Sequence, residues 1–75
     1  MPMGLKELLD GLGNSVLREM DRLGEGPTKR VDKSLFYKDS NLPISDVDHG
    51  ISYLARNHKV RLFAEYGRAM IERVV

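Results

Sequence analysis

The stretch SDVDHGISYLARNHKVRLFAEYGRAMIERVV, Ser45 to Val75, decides how this chain is read. Its first part has helical periodicity: Val47, Ile51, Leu54 and Ala55 fall on one stripe, while Asp46, His49, Tyr53 and Arg56 lie opposite, flanked by Ser52 and Asn57. Ser45 is the expected N-cap, with Asp48 three residues on as its box partner, and Asn57-His58 ends the helix. Its second part alternates as strands do. Pairing Glu65 with Arg68 across Tyr66-Gly67 sets Arg61 against Glu72 and Phe63 against Met70 on one face. Val60, Leu62, Ala64, Ala69 and Ile71 then share the other face. Two opposite-charge pairs and one apolar pair follow from a single register, which argues for a hairpin. Gly67 suits the positive φ of a tight turn. Tyr66 suits a type I′ turn less well, so a slightly longer loop stays open.

Upstream, Leu5, Leu8, Leu9, Leu12, Val16, Met20 and Leu23 form an apolar helical stripe over residues 3–23. Gly11 and Gly13 interrupt it, each at a cost of about 1 kcal/mol relative to alanine. Asn14 and Ser15 could cap a second start, but the apolar phase runs through both glycines and favours one helix. A second helical segment is expected near Thr28 to Lys38, with Val31, Leu35 and Phe36 inward, Tyr37 at the border, and Lys29, Arg30, Lys33 and Lys38 outward. Pro43 blocks helix on its N-terminal side.

Seventy-five residues make one small domain, 1–75, near the lower limit for a self-sufficient core. It divides into the extended first helix, a helix-turn-helix over 28–57 and a wing-like hairpin over 59–75. With no cysteine, neither a disulfide nor a thiolate metal site is available. No apolar run approaches membrane-span length, and MPMGLKELLDGLG lacks the layout of a signal peptide, so a cytoplasmic protein with no membrane partner is expected. Net charge is only +1. Residues 28–43 and 58–75 each carry four basic and two acidic groups, whereas 44–57 carry one and two.

Three helices followed by a hairpin resemble a winged helix-turn-helix, an α+β fold, here with an extended N-terminal helix. The spacing of Val47, Ile51 and Leu54, then Val60 and Leu62, is similar to that of winged-helix regulators. "YLARNHKVRLF" is similar to small stand-alone winged-helix proteins of uncharacterised function. The resemblance covers roughly residues 12 to 75. It implies a small DNA-binding transcriptional regulator. Phosphates would be met by Lys29, Arg30, Lys33, Lys59 and Arg68, with Asp46, His49, Ser52, Tyr53 and Arg56 facing a groove.

Asp46 and Asp48 depart from the family pattern. Acidic groups at a helix start interact favourably with its dipole, by about 0.3–1 kcal/mol each. Alternatively, Asp46 accepts from a cytosine amino group, or the acidic turn repels phosphate and suits a basic protein. The rival expectation is therefore a winged-helix protein-interaction module, an accessory or phage- or plasmid-type protein that binds no DNA. Its contact surfaces would be the acidic third helix and Phe63 with Met70. The long apolar helix suggests a homodimer, unless it covers the hairpin of its own chain. Catalysis, metals and cofactors find no support. His49 and His58 stand nine apart without companion ligands, the serines have no triad spacing, and GLGNS follows no strand.

Overall fold

The computed structural model describes residues 4–74; Met3 and Val75, which the expected first helix and hairpin included, lie outside them. The hairpin has the expected register. Strands β2 (Val60–Glu65) and β3 (Arg68–Arg73) pair Arg61 with Glu72, Phe63 with Met70 and Glu65 with Arg68. The turn is the tight one after all. Tyr66 and Gly67 both have positive φ, 52° and 76°, as a two-residue type I′ turn requires.

The rest of the element order differs from expectation. Helix α1 (Leu5–Leu23) runs unbroken through Gly11 and Gly13. It is followed by a two-residue strand, β1 (Val31–Asp32), then α2 (Lys33–Asp39) and α3 (Ile44–Arg56). β1 pairs with β3, Val31 opposite Ile71, giving a three-stranded antiparallel sheet in the order β1-β3-β2. Residues 28–32 are thus not helical. A bridge between Glu25 and Arg30 closes a reversal in which Gly26 and Lys29 take positive φ, and this turn delivers Val31 to the sheet edge. The carboxylate of Asp32 then accepts from the Ser34 N–H at 2.7 Å, capping α2, which begins at Lys33 rather than near Thr28.

α3 also starts earlier than expected. Its first turn closes from the Val47 N–H to the Pro43 carbonyl, so Pro43 is the N-cap and Ser45 makes no capping bond. Asp48 is not a box partner; its carboxylate accepts from the Tyr37 hydroxyl of α2.

Val16 and Met20 of α1, Phe36 of α2, Val47, Ile51 and Leu54 of α3, and Val31, Val60 and Ile71 of the sheet form one core. Leu35, expected inward, is 40% exposed, because a seven-residue α2 buries only Phe36. α1 and α3 meet closely. A Cβ added at Gly50 would lie 2.5 Å from Val16 Cγ2 and 3.0 Å from the Leu12 carbonyl oxygen.

One ionic clamp ties the α2–α3 connection to α1. The nearly buried Glu19 accepts from Arg22 at 3.0 and 2.9 Å and from the Asn41 N–H, while Arg22 donates to the Asp39 carbonyl at 2.8 Å. Led by the Arg22 hydrogen bonds, these contacts pull the Glu19 pKa down to about 2.

Leu54→Ala is expected to cost roughly 2–5 kcal/mol, since Leu54 is 4% exposed in the core; urea denaturation checks this, and an unchanged midpoint would show that the site tolerates the loss. The Glu19 pKa is lowered on folding, so its stabilisation is complete above the unfolded value near 4.5 and is lost as pH falls towards 2. Thermal melts of the wild type and Glu19→Gln should therefore differ most at neutral pH and converge as pH falls through about 2, where the wild-type carboxyl becomes neutral.

Candidate nucleic-acid interface

Ser45, Asp48, Ser52 and Arg56 lie along one exposed ridge of α3, and of these Ser52 and Arg56 are among the expected groove residues. Of the other expected groove residues, the exposed His49 lies beside this ridge, four residues from Ser45 and three from Ser52, whereas Asp46 and Tyr53 are turned from it. Tyr53 is half-buried against α1, and its hydroxyl donates to the Asp10 carboxylate. This bond, with that from Lys6, holds the Asp10 carboxyl below its ordinary value, and the bond to Asp10 raises the Tyr53 phenol above its own. Placing Tyr53 on the outer face is thus corrected: α1 runs along that side of α3, where Gly13 and Gly50 let the backbones approach. Asp46 is half-buried in the first turn, and with the exposed His49 it walls a groove against Leu5, Leu8, Leu9 and Leu12.

The expected phosphate contacts divide in two. Arg30 is engaged by Glu65, and its guanidinium lies 5.1 Å from the Phe63 ring centroid. Arg61 lies 4.7 Å from the same centroid and donates to Glu72 at 2.9 Å, holding that carboxyl below its ordinary value. Phe63 and Met70 share the outer sheet face as expected. They are half-buried there, with the cover over Phe63 coming from the two arginines rather than from the leucines of α1. Such cation–π stacking is worth about 0.5–1 kcal/mol at an exposed site. Arg68 stays 72% exposed, with only a loose 3.9 Å approach to Asp32. Lys33 lies 5.6 Å from the Tyr37 ring centroid, Lys59 is exposed at the start of the hairpin, and Lys29 occupies its positive-φ turn position.

A pattern emerges that the sequence reading missed. Of the twelve Lys and Arg, Lys6, Arg22, Arg30, Arg61, Arg68 and Arg73 are ion-paired among the described residues. Arg18, Lys29, Lys33, Lys38, Arg56 and Lys59 are not. All but Arg18 of the second group fall between residues 29 and 59, around α2 and α3. Lys38 belongs with this group although only its outward position was expected. Tyr66 is a second omission: at the wing tip it is 96% exposed, in a turn position that favours Asn or Gly.

Among the described residues no three His, Cys, Asp or Glu side chains group to hold a metal ion, and no helix is long and apolar enough to cross a membrane. Compared with models of known protein families, with curated proteins and with solved structures, the chain has no significant match.

Tyr53→Phe removes the hydrogen bond that ties α3 to Asp10 and should lower the thermal melting midpoint. Because the hydroxyl serves α1, the same substitution should leave any DNA affinity of the folded protein unchanged; a large affinity loss would return Tyr53 to the binding face.

Proposed function

We propose that this chain is a small DNA-binding protein of winged helix-turn-helix type, acting as a transcriptional regulator. Three helices with a three-stranded antiparallel sheet are compatible with that layout. The observation that carries the reading is the segregation of cations. Those of α1 and the sheet are largely spent on ion pairs, whereas Lys29, Lys33, Lys38, Arg56 and Lys59 around the two short helices have no acidic partner among the described residues. Such groups are available to phosphate without breaking a pair that the fold uses. Arg68 joins them, since its approach to Asp32 is loose. Arg30 does not, because contacting phosphate would require it to leave Glu65 and Phe63.

In this reading the ridge of Ser45, Ser52 and Arg56 faces the major groove. Asp48 is restrained by Tyr37, so its charge is oriented towards α2. Affinity then comes mainly from phosphates and sequence preference is modest. The binding isotherm of the full chain with a DNA duplex at two salt concentrations tests this. Binding should weaken steeply with salt, and Lys33→Ala or Lys59→Ala should each flatten the logarithmic slope by about 0.9 while weakening all sequences alike.

A second reading, a protein-interaction module that binds no DNA, is favoured by one specific feature: the apolar groove beside Asp46 and His49. Absence of binding at low salt, persisting when Asp46→Asn removes a negative charge from the helix start, would decide for it.

A further inference from the structure

The first two turns of α1 stand apart from the rest of the molecule. No residue between Leu5 and Leu12 is buried, yet four of the eight are leucine, and Leu5 and Leu8 are 73% and 52% exposed. The chain measures 45 × 24 × 19 Å, and its radius of gyration of 12.1 Å exceeds the roughly 11 Å expected of a compact chain this long. Leu5, Leu8, Leu9 and Leu12 line an open groove of about 750 Å³ whose far wall is Asp46 and His49. Gly11 lies at its edge. Gly13 and Gly50 are accounted for by the α1–α3 approach, but a Cβ at Gly11 would meet nothing within 4 Å. A mid-helix glycine is thus retained where this chain supplies no neighbour to require it.

The charges at the groove's ends identify what would cover it. Glu7 and Arg18 both border it, and neither is ion-paired among the described residues; Arg18 has only a 3.3 Å bond to Ser15 Oγ. Eleven residues separate them, three helical turns, so they lie on one line of the helix about 16 Å apart. We propose that the groove seats α1 of a second copy of this chain, antiparallel across a two-fold axis near Leu12 and Gly13. Each Glu7 then meets the other copy's Arg18, and both pairs form at once because the contact is isologous. The same register sets Leu8 level with Leu17 of the other copy and Leu12 level with Gly13, and brings the two Gly11 positions within about 5 Å of each other along the axis, where the missing side chains give the second helix room. A parallel helix would oppose like charges instead. This assembly does not depend on DNA binding.

Sedimentation equilibrium of the full chain and two charge variants tests it. The wild type should be a dimer at high micromolar concentration. Glu7→Arg and Arg18→Glu each oppose like charges twice in a homodimer, so each should weaken self-association by about tenfold or more. Mixed in equal amounts, the two variants restore both pairs, and the dimer mass should return as a heterodimer. Leu8→Glu should weaken the dimer and have no charge partner that rescues it. Circular dichroism should show native helix in every variant, since all three positions are exposed. A monomeric wild type at that concentration would overturn the proposal and leave the groove to a helix of another protein. So would a failure of the mixture to regain dimer mass when both single variants are folded monomers, or wild-type association by both variants. DNA titration of the monomeric variants reads the other function separately.

Discussion

The close approach of α1 to α3 is the constraint on which the rest of the molecule depends. At Gly50 there is no space for even a methyl group, with Val16 and the Leu12 carbonyl filling the position a Cβ would take. Because the two backbones touch there, Val47, Ile51 and Leu54 reach the same core as Val16 and Met20, and the sheet can close over them with Val31, Val60 and Ile71. The approach also fixes the roll of α3 about its axis. That roll sends Tyr53 to Asp10 and leaves Ser45, Asp48, Ser52 and Arg56 in solvent. Core packing thus selects which side chains are offered to a partner. The Glu19 clamp secures the arrangement by holding the α2–α3 connection against α1.

Ion pairing divides the molecule in a related way. The outer sheet face stacks Arg30 and Arg61 on Phe63 and neutralises them with Glu65 and Glu72, while Arg73 reaches Asp21 of α1 at 3.1 Å. These charges join one element to another. Around α2 and the end of α3 the cations project without such partners, so a net charge of only +1 conceals an uneven surface.

The hairpin was legible in the sequence because three cross-strand pairs agreed on one register. The α3 stripe was legible because its spacing admitted one buried face. Residues 28–32 were not, since Val31, Leu35 and Phe36 mimic a helical face; the competing signals were Gly26-Pro27 as a turn and Asp32 two residues before Ser34 as a cap. The orientation of Tyr53 has one signal in the sequence, Gly50, whose place within a helix marks where another backbone comes close. Tyr66 is both an awkward turn residue and an aromatic ring at an exposed tip. The division of cations into paired and unpaired groups could not be read from sequence, because pairs such as Arg30–Glu65 and Arg73–Asp21 join residues far apart in the chain.

The order of strands has a kinetic consequence. β3, the last element along the described chain, is the central strand of the sheet. One of its edges is reached by closing the two-residue turn at Tyr66-Gly67, an event on the scale of microseconds for a hairpin. Its other edge must find Val31, forty residues earlier in the chain, and loop-closure entropy opposes that step before Ile71 can enter the core. Closure onto Val31 thus joins the α1–α3 approach as a long-range step that local helix formation cannot supply.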